Sequence, residues 1–241
     1  MLLQRLFYLT SVFLMALGQI DPLPHGLPPL DLRYPKAPWV LPGDTLNMSD
    51  THPLPQISSI RFHANSTYLI VMVDLDVQVG RTSTVILHWF QPNMVMHNDK
   101  PWLESEGHGK GPFGKHPAEY ISPQPPPNTH HRYVFLAFEQ HEQYMFPGCF
   151  GHIFPKTMEA RAGFDLRQFV EVTGLQRPVA GNYFFVNNNE PGTVTSSTPT
   201  PTPTTTWIRT APCSQPVIAT ATSTAEVREH VRGAQGRQTV M

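Results

Sequence analysis

Three stretches of this chain run apolar and β-branched without a break, and each meets an ionisable residue where hydrocarbon is expected. Tyr68 to Val73 (Tyr-Leu-Ile-Val-Met-Val) leads into Asp74-Leu75-Asp76, and Val85-Ile86-Leu87 leads into His88. His131 precedes the third run, Tyr133-Val134-Phe135-Leu136. Short continuous apolar runs of this composition read as buried β-strands, and helical periodicity is nearly absent elsewhere. Residues two apart in a strand share a face, so Asp74 and Asp76 are expected on one side. A charged group in such a place has to be paired or put to use, because burying it alone is too costly.

With 241 residues, 40% of them hydrophobic, the chain is long enough to bury one sizeable core. Its formal charge of -1 offers no basic field for nucleic acid. The first 18 residues have the parts of a secretory signal: Arg5, an apolar stretch from Leu6 to Leu17, and small residues at Ala16 and Gly18. A membrane anchor is the competing reading, but that stretch is shorter than the roughly 20 residues a spanning helix needs. No later segment qualifies, so no transmembrane segment is expected. A secretory location would make the sequons at Asn47 and Asn65 usable glycosylation acceptors. In an oxidising compartment Cys149 and Cys213 could form one bridge, or they could stay unpaired, Cys149 buried and Cys213 exposed.

The expected organisation is a signal peptide at 1–18, a β-rich domain at 19–190, a Thr/Pro-rich linker at 191–206 and a polar tail at 207–241. Asp21 to Pro55 is proline-rich and reads as an extended segment laid along the β-core. Asn98 to Pro127 reads as a long ordered loop, the kind of segment that tends to carry function. Within it, Gly109 to Lys115 matches most of a phosphate-loop pattern. His116 stands in place of the Ser or Thr that would hold magnesium, and Pro117 blocks the following helix, so that reading fails. A calcium loop at Asp74 to Gly80 fails too, lacking a twelfth-position Glu. A short helix is expected over Asp165 to Val170, capped by Asp165, with Leu166, Phe169 and Val170 on one face. Tyr183 to Val186 reads as the last strand, and a short helix around Ala225 to Val231 is the most the tail suggests.

Several of these pieces, in this order, resemble the phosphatidylethanolamine-binding protein family. They are Asp74-Leu75-Asp76, Leu87-His88-Trp89-Phe90, Pro125-Pro126-Pro127 and His131-Arg132-Tyr133-Val134-Phe135-Leu136. Glu139-Gln140, Phe164 to Phe169 and Pro178 to Phe184 continue the match, which covers roughly residues 30 to 190. The resemblance implies a mainly β fold: a large central antiparallel sheet, a second smaller sheet and few short helices. It implies an anion pocket at one end, with its carboxylates at Asp74 and Asp76 and its histidines at His88 and His131. Pro125 or Pro126 would supply a cis-proline turn beside it. The chain departs from the family at Leu75 and Gln78, where prolines are usual, so the pocket's shape and ligand choice need not follow the family's.

A carboxylate beside an imidazole favours the imidazolium, which can bind phosphate or carboxylate oxygens. The same parts can move a proton, with Asp74, His88 and His131 as catalytic residues. A buried polar network that only fixes strand register is the plain alternative. Zinc is disfavoured: no His-Glu-x-x-His spacing occurs, and His130 and His131 would point to opposite faces. No metal or cofactor is expected. Two functions follow from the resemblance. Secreted members resemble proteins encoded with fungal maleidride pathways, implicated with a ketosteroid-isomerase-like partner in coupling anhydride or carboxylate monomers. The other is a non-catalytic binder of a phospholipid headgroup or small anion, acting in signalling or protease inhibition.

Overall fold

The three apolar runs become neighbouring strands at the centre of one sheet. A computed structural model describes residues 23–37, 39–106, 117–189 and Cys213. Its strands are β1 (Asp31–Arg33), β2 (Asp44–Asn47), β3 (Gln56–Ser58), β4 (Thr67–Val79), β5 (Thr82–Met96), β6 (Leu103–Ser105), β7 (Thr129–Gln140) and β8 (Ala180–Asn188). Two short helices, α1 (Met158–Arg161) and α2 (Leu166–Thr173), follow a 3-10 turn at Gly148–Ile153. The main sheet has the order β2-β8-β7-β4-β5-β6, and β1 and β3 form a separate small sheet. All neighbours in the main sheet are antiparallel except the edge pair β2 and β8, which is parallel.

The runs are apolar on both faces because both faces are covered. Tyr68, Ile70 and Met72 of β4 and Tyr133, Phe135 and Ala137 of β7 pack under the N-terminal segment through Leu30, Leu32, Tyr34, Val40 and Ile57. The alternate residues Leu69, Val71 and Val73, with Val134, Leu136 and Phe138, pack under Phe150, Ile153, Phe164, Phe169 and Val172. A strand buried on two sides loses the alternation that a half-exposed strand shows. The expected extended N-terminal segment is thus the lid of one face. It is held there by Asn182, whose buried amide donates to the carbonyls of Leu30 (2.7 Å) and Val40 (2.8 Å).

Several strand ends differ from the sequence reading. β4 continues past Asp76 to Val79 and turns at Gly80-Arg81 into β5, with Gly80 in the left-handed region (φ 64°) that favours glycine. β5 runs on past Phe90 through Pro92 to Met96. The register to β4 shifts opposite Pro92 and Asn93, so the missing proline N–H falls at an irregularity where no ladder bond is required. The Asn98 to Pro127 stretch contains β6, and its Ala118 bridges to Phe90.

Helix α2 forms as expected, its first turn capped by the Asp165 carboxylate accepting the Gln168 N–H at 2.8 Å. It extends to bury Val172 as well as Phe169. One expectation is corrected: no cis peptide bond occurs among the described residues, so neither Pro125 nor Pro126 makes a cis turn. The chain instead reverses through Asn128 (φ 58°), with the Pro126 carbonyl accepting the Thr129 N–H at 3.2 Å. A proline followed by a left-handed Asn suits a β-turn with ordinary trans bonds. The expected signal peptide, linker, tail helix and the Gly109 to Lys115 motif lie outside the described residues. No described helix is long and apolar enough to cross a membrane.

Candidate functional site

Asp74 sits inside β4, on the face covered by the N-terminal segment, directly opposite Tyr133 of β7. His131 lies two residues before Tyr133 and therefore on the same face. Its Nδ1 donates to Asp74 Oδ2 at 2.8 Å, and the other carboxylate oxygen accepts the Asp76 N–H at 2.9 Å. Asp74 is 2% exposed and His131 7%, so the pair is buried with the imidazole at its outer edge.

His88 reaches this carboxylate through a defect in the sheet. Met72 pairs with Trp89 while Val73 pairs with Leu87, leaving His88 as the extra residue of a β-bulge. A bulge re-aims one side chain across the strand, and here it puts His88 Nε2 3.9 Å from Asp74 Oδ2. The His88 ring is fully buried and stands edge-on to Tyr133, ring centres 5.1 Å apart. Its Nδ1 lies 2.8 Å from the Ile121 carbonyl, so Nδ1 carries the proton and donates it there. Nε2, buried, has no hydrogen-bond partner.

The two imidazoles are driven in opposite directions. Burial lowers the His88 pKa below its ordinary 6.5, outweighing the Ile121 carbonyl and the Asp74 charge, and the positive Arg161 and His131 lower it further. Burial also acts to lower His131, but the hydrogen bond and charge of Asp74, aided by the Asp76 charge, raise it above 6.5 on balance. The 3.9 Å approach of His88 to Asp74 would count as an ion pair only if His88 were charged. Its complete burial and the length of that contact make the neutral form the one that fits. The site therefore biases its two imidazoles apart about a single carboxylate, His131 toward the imidazolium and His88 toward the neutral form.

Asp76 is turned away from the histidines. Its Oδ2 accepts the Arg132 backbone N–H at 2.8 Å and its Oδ1 the Arg132 guanidinium at 3.1 Å. With a third of its side chain exposed, it contributes charge at the rim rather than a buried ligand group. Pro125 and Pro126 stand at the loop before β7, where their carbonyls hold Asn188 Nδ2 (2.8 Å) and Thr129 Oγ1 (2.7 Å).

Three participants escaped the sequence reading. Tyr133 lies close enough to Asp74 to feel its charge, and its phenol pKa is pushed up by burial and by that carboxylate. Arg132 pairs with Asp76, and only its adjacency to His131 could have marked it. Arg161 carried no signal. It is fully buried and donates to the carbonyls of Ile153, Pro155, His88 and Glu119, tying the 3-10 turn and the 117–121 loop to β5 at His88. Burial lowers its pKa to about 10, which leaves it charged at neutral pH.

Cys149 and Cys213 are joined in a disulfide with Cα atoms 5.6 Å apart. The sequon asparagines Asn47 and Asn65 are both exposed. Among the described residues no group of three or more His, Cys, Asp or Glu side chains is arranged to hold a metal ion.

The profile of the phosphatidylethanolamine-binding proteins matches residues 36–184, well over half of the chain, and spans every strand from β2 to most of β8. The chain belongs to the phosphatidylethanolamine-binding protein family. Within it, the chain is 38% identical over 123 residues to phomoidride biosynthesis cluster protein N of Talaromyces stipitatus, covering 51% of this chain and 60% of that protein. A protein of the same name from Fungal sp. is 34% identical over 131 residues, 54% of this chain and 57% of that one. The chain thus matches less than two thirds of the length of either relative. Among solved structures, a carboxypeptidase Y inhibitor complexed with its cognate proteinase is similar with a TM-score of 0.49 and 17% identity, covering 67% of this chain and 83% of that one. A Plasmodium falciparum phosphatidylethanolamine-binding protein gives 0.43 and 11%, covering 73% and 94%.

Proposed function

We propose that this family member is a secreted accessory or catalytic protein of fungal secondary-metabolite biosynthesis. It binds an anhydride- or carboxylate-bearing monomer at Asp74, His88 and His131 and assists its coupling. One observation carries the reading: a single buried carboxylate is flanked by a hydrogen-bonded imidazole at 2.8 Å and a buried, unpartnered one at 3.9 Å. The imidazolium of His131 donates Nδ1–H to Asp74 and offers Nε2–H to an anionic oxygen. In the catalytic reading the ligand has to displace the packing over buried His88, whose neutral Nε2 then takes a proton from a carbon next to a carbonyl, leaving a carbon nucleophile. The names of the two relatives, which tie those proteins to a biosynthesis cluster, support the pathway part of the proposal. The exposed sequons and the disulfide support the secretory part.

The test is to incubate the purified protein with maleic-anhydride monomers, with and without a ketosteroid-isomerase-like partner, and to analyse the products. Coupled product that depends on this protein and is lost in His131→Ala, with the circular dichroism of the fold retained, is the expected outcome. An unchanged product profile would defeat the catalytic reading. A non-catalytic binder of a small anion or phospholipid headgroup is the second reading, and it is favoured by burial: His88 is fully enclosed, so only the His131 edge faces outward. That reading expects saturable binding of phosphate or a phosphoethanolamine headgroup, lost in the same variant, without turnover.

A further inference from the structure

A cavity of about 450 Å³ opens between the small sheet and β6, lined by Arg33, Pro35, Leu54, Gln56 and Trp102, none of which belongs to the Asp74 site. Cavities of this size are typical of small-molecule sites, which usually lie between about 300 and 1,000 Å³. In the β1–β3 pair, Leu32 faces Ile57 across the ladder and both are buried in the core, so the next cross-strand pair, Arg33 and Gln56, projects outward. Directly opposed residues have neighbouring side chains, which puts a guanidinium and a carboxamide side by side.

The guanidinium carbon of Arg33 lies 5.7 Å from the centre of the Trp102 ring, and Trp39 lies 6.2 Å beyond Trp102 at a tilt of 44°. No carboxylate pairs with Arg33 among the described residues; the acid on β6, Glu104, is held by Lys100 at 2.7 Å. Trp39, against Trp102, and Leu54, in the cavity wall, are 62% and 49% exposed, so hydrocarbon faces water beside that cation. An exposed apolar surface rimmed by polar groups is the signature of a binding site.

We propose that this cavity is a second ligand site, for a small monocarboxylate with a flat apolar body. A single Arg presents a planar fork that matches one carboxylate through two hydrogen bonds. Gln56 adds a third donor, while the Trp102 indole with Leu54 and Pro35 accepts the flat body of the ligand. One cation, rather than a cluster, selects a singly charged group over a phosphate dianion. The proposal does not rest on the chemistry of the Asp74 site.

The test is an NMR titration of the full chain with sorbate, a flat unsaturated carboxylate, and with its neutral amide, following the tryptophan indole resonances. Sorbate should give saturable shifts at Trp102 and Trp39, and the amide should bind about ten-fold more weakly or worse, as the loss of a charge-assisted pair demands. Arg33→Gln, an exposed substitution that leaves the core intact, should weaken sorbate by a similar factor. His131→Ala should leave these shifts unchanged. Equal binding of acid and amide, full binding by Arg33→Gln, absence of saturable shifts, or loss of the shifts in His131→Ala would each overturn the proposal.

Discussion

At the scale of single residues, the site depends on one carboxylate holding two imidazoles in different protonation states. If His131 must be charged and His88 neutral, activity or anion binding should follow a bell-shaped pH profile. Its acid limb lies below the ordinary imidazole value of 6.5, because burial lowers His88, and its alkaline limb lies above it, because Asp74 raises His131. Asp74→Asn removes the carboxylate that raises His131 and, more weakly, His88, while leaving both buried, so the alkaline limb should move down in pH and the acid limb should follow it, shifting the whole bell toward acid. An NMR titration of the His131 ring protons in both proteins checks this directly. Asp74 lies within β4 and not at its end, so Asp74→Asn should also cost stability, on the order of 1–3 kcal/mol for a disturbed buried hydrogen-bond set.

Among the elements, two side chains do the work of joining pieces that the sheet alone would not hold. Arg161 ties the 3-10 turn, the 117–121 loop and β5 together through four carbonyls. Arg161→Met keeps much of the volume but strands those acceptors, and it should lower the unfolding free energy by about 3 kcal/mol in urea denaturation. Because one of those carbonyls is that of His88, the acid limb of the pH profile should shift in this variant as well. Asn182 straps the N-terminal segment over one sheet face. Asn182→Ala should cost about 1–3 kcal/mol and raise hydrogen exchange in residues 30–40 more than in β4, which exchange measurements resolve.

For the whole molecule, the Cys149–Cys213 bridge spans a sequence separation of 64 residues and holds Cys213 against the sheet face that carries α2. Replacing both cysteines by serine should reduce stability by about 2–4 kcal/mol, the usual range for a native disulfide. Reduction of the unaltered protein should give the same loss, read as a lowered Tm by calorimetry. The Arg33 cavity and the Asp74 site lie on different groups of strands and share no lining residue, so substitutions in one should not alter binding at the other.

The sequence by itself determined the strands at the centre and the residue types that meet there. Tyr68 to Val73 and Tyr133 to Leu136 read as buried strand from their length and β-branched and aromatic content, and Asp74, His88 and His131 stood out because ionisable groups are costly in such runs. The cap at Asp165 was equally legible, being a local interaction within one turn. Tertiary structure alone decided how those groups meet. Alternation along β5 cannot reveal the bulge that turns His88 toward Asp74, since a bulge exists only relative to the partner strand. The diversion of Asp76 to Arg132, the trans turn through Asn128 and the grip of Arg161 on four carbonyls likewise depend on segments far apart in the chain. Local pattern reports what a residue prefers, and only packing reports which neighbour it finds.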